Sequence, residues 1–146
     1  MKYRLMDVLA CPYDKTFPLR LVVLSENVKD REYTGKIPFC ELYCAYKGMN
    51  IKDMEDPSKA PCAECYKHEI GEGILYCEKC HRWYPIKEDI PILLPDELRN
   101  INEDKEFLSK IKDKLSKIDP KLAEDIINNG NPINYKTVTN GYRSSK

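Results

Sequence analysis

The chain is 146 residues long, enough for one domain or for a small domain that carries an insertion or an appendage. Hydrophobic residues make up 42% and charged residues 33%, which is typical of a soluble protein with a modest core and argues against a disordered chain. The 24 basic residues equal the 24 acidic ones in number, so we do not expect a dedicated nucleic-acid binder, although a local basic patch stays open.

The sequence also bears on the environment of the protein. No apolar run reaches the roughly 18 residues of a membrane span, and the N-terminus carries no signal-peptide core. We therefore expect a soluble, cytoplasmic protein. Lys, Glu and Tyr are abundant and Gln is absent, a bias that favours a thermophilic source.

The N-terminal part predicts one short helix and one strand. Residues 1–10 predict the helix, which ends at Cys11-Pro12 because proline disfavours a helical conformation in the residue before it. Residues 18–24 are β-branched and aliphatic and predict the strand. Three further short strands are predicted over residues 74–77, 83–86 and 90–94.

Residues 26–70 differ in composition from their surroundings. They are charged, rich in Pro, Gly and Tyr, and carry four of the seven cysteines. Because so little aliphatic content cannot build a core alone, we predict an inserted, Cys-rich lobe. The core would then consist of residues 1–25 and 71–95.

The C-terminal third predicts two helices. Apolar residues recur at helical spacing between Phe107 and Ile118. Asp119-Pro120 then begins a second helix, because Asp is a capping residue and proline suits the first helical position. The sequence therefore predicts a helical extension over residues 96–130 and a loose tail over residues 131–146.

The cysteines are the most informative residues of the chain. They form three close pairs and one single residue, at Cys40/Cys44, Cys62/Cys65, Cys77/Cys80 and Cys11. Such spacing allows a tight turn to direct two thiolates at one tetrahedral ion. Without a secretion signal, zinc is favoured over disulfides, although a thermophile's cytosol would weaken that preference.

The first predicted zinc site consists of Cys11, Cys77, Cys80 and Asp14. Asp14 stands where a second thiol is expected, and a carboxylate can ligate zinc, although four thiolates are more usual. The alternative is that Cys11 is a small buried hydrophobe and Asp14 only closes a turn. His81 is a rival fourth ligand, but its position beside Cys80 makes simultaneous ligation difficult.

The second predicted zinc site consists of Cys40, Cys44, Cys62 and Cys65. Seventeen residues separate the two pairs, which is within the reach of a structural zinc loop. One or two disulfides, or free buried thiols, are the alternatives. His68 follows this group and is expected to be a surface histidine.

Three motifs resemble the signature of the methyltransferase-activator zinc proteins. They are Leu9-Ala10-Cys11-Pro12, Leu75-Tyr76-Cys77-Glu78-Lys79-Cys80, and Trp83-Tyr84-Pro85-Ile86 followed by Ile90-Pro91-Ile92-Leu93-Leu94. Members of that family are the common small subunit of several tRNA-, rRNA- and release-factor-modifying methyltransferases, and their short relatives are bacterial zinc-ribbon-like proteins. Two departures are Asp14, in place of a thiol, and a longer helical extension.

The elements and the resemblance together predict an α+β protein. Its core would be zinc-ribbon-like, made of short antiparallel strands, with an N-terminal helix, a Cys-rich insertion and a helical C-terminal extension. The resemblance implies a non-catalytic subunit that forms a heterodimer with class I, S-adenosylmethionine-dependent methyltransferases, activates them and stabilises them. Their substrates would be tRNA or translation factors. The cofactor would be zinc, with one ion in the core and a second if the insertion also binds one.

A run of apolar side chains provides the predicted partner surface, because a zinc ribbon this small cannot hide all of it. The resemblance implies that this edge and the N-terminal helix dock on the methyltransferase by strand addition. The alternative is that the same residues pack under helix 103–118. The residues are Ile86, Ile90, Ile92, Leu93 and Leu94.

Catalysis by the chain itself is not expected. Gly71-x-Gly73 lacks the rest of a dinucleotide or S-adenosylmethionine fingerprint, and neither histidine has a partner motif for a nucleophile. Zinc sites with four protein ligands also leave no position that could activate water.

Direct RNA or ribosome binding is the main rival function, and a transcription-type ribbon that contacts polymerase is a further one. The tail could contact phosphates or stack on bases. Its candidate residues are Tyr135, Lys136, Tyr142, Arg143 and Lys146. Against this, the lysines of residues 105–121 alternate with acids and indicate a solvated helix face.

Overall fold

The computed structural model describes residues 1–137 and confirms the mixed α+β class. The strands are β1 (Arg20–Val28), β2 (Tyr43–Cys44), β3 (Met49–Asn50), β4 (His68–Tyr76), β5 (Trp83–Lys87) and β6 (Ile90–Pro91). The helices are α1 (Cys62–Cys65), α2 (Ile101–Ile118) and α3 (Pro120–Asn129). Short 3-10 helices cover Tyr3–Asp7, Ile51–Asp53, Pro57–Lys59 and Asp96–Leu98. None of the helices described is long and apolar enough to cross a membrane.

A four-stranded antiparallel sheet forms the centre of the molecule, with the strand order β1-β4-β5-β6. Leu75 pairs with Leu21 on one side and with Tyr84 on the other. Because side chains alternate along a strand, the sheet has two apolar faces.

Helices α2 and α3 cover one side of the sheet, which we call the helix face. The Asn100 side chain caps α2 by accepting from the Glu103 N–H at 3.0 Å, and Asp119 caps α3 by accepting from the Leu122 N–H at 3.1 Å. The buried cluster on this face contains both helices and alternate strand residues. It comprises Val22, Leu24, Ile74, Tyr76, Trp83, Phe107, Leu108, Ile111, Leu115, Leu122, Ala123, Ile126 and Ile127.

The opposite side of the sheet, the N-terminal face, is covered by residues 1–9. Its buried cluster includes Met1 and Met6, and the N-terminal ammonium donates to the Ile70 carbonyl at 2.8 Å. The predicted helix over residues 1–10 is thus only the 3-10 turn Tyr3–Asp7, because Lys2 stays extended and bridges Glu69 of β4. The cover on this face is therefore thin.

Other boundaries also differ from the sequence prediction. Pairing of β1 with β4 continues to Val28 and His68, so the connection between the two strands comprises residues 29–67. The strand expected over residues 90–94 is regular only at Ile90–Pro91. In the predicted loose tail, Ile133 is buried and its carbonyl accepts from the Trp83 indole at 2.8 Å. The candidate tail residues Tyr142, Arg143 and Lys146 lie outside the described residues.

Candidate metal centre

The first half of the predicted core site is a tight turn, the first knuckle (residues 11–16). The N–H of Cys11 donates to the Thr16 carbonyl at 3.0 Å, and the N–H of Lys15 donates to the Cys11 carbonyl at 2.9 Å. Lys15 has a φ of 65°. The Asp14 carboxylate accepts from the Thr16 N–H at 3.0 Å, which fixes its direction.

The second half is a turn of the same form, the second knuckle (residues 77–82). The N–H of Cys77 donates to the Arg82 carbonyl at 2.8 Å, and the N–H of His81 donates to the Cys77 carbonyl at 2.9 Å. His81 has a φ of 63°, as the equivalent residue of the first knuckle has 65°. The fourth position of this turn is Cys80, where the first knuckle has a carboxylate.

The two knuckles bring three thiols and one carboxylate together. The ligand atoms of Cys11, Asp14, Cys77 and Cys80 all lie within 4.8 Å of one another. The sulfurs of Cys11 and Cys80 are 3.7 Å apart, and the Cys77 sulfur lies 3.4 and 3.5 Å from the Asp14 oxygens. A tetrahedral ion with Zn–S near 2.3 Å and Zn–O near 2.0 Å requires about 3.8 Å between sulfurs and about 3.5 Å between sulfur and oxygen. The group can therefore hold a metal ion, and its dimensions fit zinc.

The protonation states also suit metal binding. The hydrogen bond from the Thr16 N–H holds the pKa of the Asp14 carboxyl well below its usual range, so it is an ionised ligand at neutral pH. Burial raises the pKa of the Cys80 thiol to about 12. Without an ion this thiol keeps its proton, and binding of a metal would release it.

A clamp around Arg82 joins the two knuckles and was not predicted from the sequence. The guanidinium lies 3.7 Å from the centroid of the Tyr13 ring and donates to the Asp96 carboxylate at 3.0 and 2.7 Å. The Asp96 N–H in turn donates to the Tyr13 hydroxyl at 2.7 Å. Because these residues are far apart in the chain, no local pattern signals their association.

The rival ligand His81 faces away from the centre. Its Nδ1 lies 2.8 Å from the Tyr76 hydroxyl and 3.1 Å from the Asp125 carboxylate. The Tyr76 hydroxyl also donates to Asp125. This network ties the second knuckle to helix α3, so His81 positions the turn and is not part of the ligand group.

The cysteines of the predicted second site also share one location. Cys40, Cys44, Cys62 and Cys65 are all buried and line a small cavity together. Within residues 1–137, the core site is the one group of three or more such residues whose metal-binding atoms all lie within 4.8 Å of one another. The sulfurs of the predicted second site are therefore spaced more widely than the ligand atoms of the core site. Zinc binding by these four cysteines stays a prediction. His68 lies outside this group, between the carboxylates of Glu26 and Glu64 at 3.0 Å each.

The similarity to known proteins extends over both knuckles. A sequence model described as Trm112p-like protein matches residues 2–89, which includes both halves of the core site. The chain belongs to the Trm112p-like family. A UPF0434 protein from Dechloromonas aromatica (strain RCB) is 40% identical over 43 residues, which cover 30% of this chain and 74% of that relative. The Trm112p-like family is known for the activation of methyltransferases.

In this Trm112p-like protein, the five apolar residues predicted to bind a partner are not equivalent. Ile86 is completely buried in the N-terminal face, which corrects its assignment to a surface. Ile90 is 61% exposed and Leu94 is 38% exposed, whereas Ile92 and Leu93 are half-buried. Ile86 and Leu93 belong to the N-terminal face, whereas helix α2 packs on the opposite face, so these two residues do not lie beneath that helix.

Proposed function

We propose that this chain is a non-catalytic subunit that activates S-adenosylmethionine-dependent methyltransferases acting on tRNA or translation factors. It would do so as a heterodimer with a class I catalytic subunit. Membership of the Trm112p-like family supports the activating role. The structural observation that carries the proposal is an apolar sheet edge whose backbone has unused hydrogen-bonding capacity.

Strand β6 is one edge of the sheet, and residues 92–95, which follow it, belong to no regular element. The Ile92 N–H donates inward to the Pro85 carbonyl at 2.9 Å. Within residues 1–137, the N–H groups of Leu93 and Leu94 donate no hydrogen bond. An exposed edge of this kind accepts a strand from a partner, since the added backbone bonds satisfy both chains.

The adjoining N-terminal face supplies apolar area beside this edge. Leu5, Leu9 and Leu93 are only partly buried against the same cluster, and Val8 is 73% exposed. A methyltransferase that covers this area would bury apolar surface of its own, at roughly 25 cal/mol per Å². Binding of this subunit to the folded catalytic chain would stabilise that chain by mass action.

The core metal site would support this surface by stabilising the fold, without being part of the surface itself. A zinc ion held by Cys11, Asp14, Cys77 and Cys80 would join both knuckles and hold the ends of β4 and β5 in place. Zinc binding would thereby stabilise the folded sheet, including the β6 edge that a partner would recognise.

RNA or ribosome binding is the second candidate function, and a cluster of basic and aromatic side chains favours it. The guanidinium of Arg4 lies 5.2 Å from the Phe39 ring centroid, and that of Arg31 lies 5.2 Å from the Tyr66 ring centroid. Arginine over an aromatic ring is a platform for bases and phosphates. However, Glu69 accepts from Arg31 at 2.6 Å and neutralises part of that charge.

The experiment is purification of the tagged full chain from its own cells, with nuclease treatment and a high-salt wash, followed by mass spectrometry. Stoichiometric recovery of one or more class I methyltransferases is expected and would identify the substrate class. Recovery of ribosomal proteins that salt removes, with no methyltransferase, would contradict the proposal and favour RNA binding.

A further inference from the structure

The buried side chains in the connection between β1 and β4 are all cysteines. Across residues 25–69, the only buried side chains are those of Cys40, Cys44, Cys62 and Cys65, with exposed fractions of 5% to 8%. An independently folded segment would normally be held by aliphatic side chains, and none is buried here. Tyr43 and Ala45 pack against the N-terminal face but are only partly buried. The thiols are therefore the groups best placed to hold this segment together, either as a metal site or as disulfides.

The turn that carries the first pair is preorganised by the N-terminal segment. The Asp7 carboxylate accepts three backbone hydrogen bonds at 2.7 to 2.8 Å, all from residues between Cys40 and Cys44. The donors are the N–H groups of Glu41, Leu42 and Tyr43. These bonds fix the backbone of the turn, and Cys40 and Cys44 on either side of it line the same cavity.

The second pair lies on the single helical turn α1. The N–H of Cys65 donates to the Pro61 carbonyl and that of Tyr66 donates to the Cys62 carbonyl, both at 2.9 Å. Residues three apart on a helix share a face, so the two thiols point the same way. Both pairs line one cavity of about 10 Å³.

The positively charged side chain of Arg4 forms part of the wall of this cavity. Arg4 lines it and lies close enough to Cys40 and Cys65 to favour their thiolate forms. Burial nevertheless raises the pKa of both thiols to about 12, so that they are protonated while no ion is bound. A zinc ion with four thiolates carries two negative charges, and Arg4 would offset one of them.

We propose that Cys40, Cys44, Cys62 and Cys65 form a second zinc site, which joins the turn at Cys40 to helix α1 within the inserted segment. Four thiolates are a soft donor set that suits zinc, and such a closed site is structural. Closing on the ion would bring the sulfurs to about 3.8 Å from one another, and each bound thiol would release its proton. This inference does not rest on the proposed methyltransferase binding.

Two disulfides within the pairs would leave the turn at Cys40 unconnected to helix α1. Zinc instead would join all four sulfurs at one point, which agrees with the cavity that they share. Because no side chain of this segment other than the four cysteines is fully buried, the metal would supply much of the folding free energy of this segment.

The test is metal analysis of the full chain, purified anaerobically from zinc-supplemented cells. Two zinc ions per chain are expected for the wild type, and one for the double variant Cys62→Ser/Cys65→Ser. The control Leu42→Ser alters an exposed residue of the same turn and should retain both ions. Cobalt substitution adds a spectroscopic readout: the absorption lost in the double variant should have the intensity and wavelength of a tetrahedral four-thiolate site.

Two outcomes would overturn the proposal. One is a single zinc per chain with the four cysteines protected from alkylation until a reductant is added, which indicates disulfides. The other is a single zinc per chain with all four cysteines alkylated after denaturation without reductant, which indicates free thiols. Neither outcome affects the co-purification test of methyltransferase binding, so the two proposals fail separately.

Discussion

Asp14 and Cys80 occupy the same position in two turns that share one hydrogen-bonding pattern. The residue that follows each of them has a positive φ, 65° in one knuckle and 63° in the other. The replacement of a thiolate by a carboxylate keeps the charge of the ligand set and changes only its softness. Asp14 therefore has the position that a ligand would need, and the group could hold a metal ion although it lacks a fourth thiolate.

Substitution of Asp14 should change how firmly zinc is held. We expect Asp14→Ala to weaken zinc binding by roughly tenfold or more, about 1.4 kcal/mol, because one ligand is lost. Asp14→Cys should retain zinc at least as firmly as the wild type. Competition with a chromophoric chelator measures both, with Glu78→Ala as an exposed control in the second knuckle. Equal affinity in Asp14→Ala and the wild type would show that Asp14 only closes its turn.

Loss of Cys77 should unfold the core. Structural zinc contributes about 10–16 kcal/mol in zinc-finger peptides, which is as large as the whole stability of a typical domain. We expect Cys77→Ser to lose one zinc and its cooperative thermal transition, while Glu78→Ser, the next residue, keeps both. An unchanged melting temperature for Cys77→Ser would contradict a structural role for the site.

A charge at the sheet edge should prevent partner binding without unfolding the protein. Ile92 is half-buried beside β6, and a carboxylate there would have to be desolvated in the complex. We expect Ile92→Asp to weaken methyltransferase binding by roughly tenfold or more, with an unchanged circular dichroism spectrum. Ile118→Asp, at an exposed position at the end of α2, is the matched control. Normal affinity for Ile92→Asp would place the interface elsewhere.

The ion pair between Arg99 and Asp104 lies almost entirely out of solvent. The Arg99 Nε donates to the Asp104 carboxylate at 2.8 Å, and its Nη1 donates to the Trp83 carbonyl at 2.9 Å. Arg99→Leu leaves a buried carboxylate without its partner, so we expect a loss of about 3 kcal/mol in the free energy of unfolding. The double variant Arg99→Leu/Asp104→Leu should recover most of that loss. Additive losses in urea denaturation would contradict the coupling.

Glu69 makes part of the stability dependent on pH. The hydrogen bond from Arg31, assisted by Lys2, lowers the pKa of its carboxyl from 4.5 to about 2. A lowered folded-state pKa stabilises the protein fully above about pH 4.5, and this contribution is lost as the pH falls towards 2.

The stability difference between the wild type and Glu69→Gln should therefore be largest at neutral pH and shrink below about pH 4.5. Urea denaturation at neutral and acidic pH measures it, and acid release of metal is common to both proteins because their ligands are identical. Glu55→Gln, at an exposed position without an ion pair among the described residues, is the control. A difference that does not vary with pH would contradict this assignment.

Local patterns were enough to predict most of the elements. The helical spacing from Phe107 to Ile118 and the Asp119-Pro120 start correspond to α2 and α3. The boundaries of the elements were predicted less well where contacts with residues distant in the chain determine them. Lys2 is extended because it bridges Glu69, and the tail near Ile133 is fixed because the Trp83 indole needs an acceptor. Neither contact has a local sequence signal.

The sequence by itself determined the candidate ligand types and their spacing, because two thiols or a thiol and a carboxylate in one tight turn are a local property. It also determined the family, through motifs of adjacent residues. Only the tertiary structure decided that Asp14 faces Cys77, that His81 turns towards helix α3, and that Ile86 is covered by the N-terminal segment. These outcomes depend on the packing of elements that are distant in the chain.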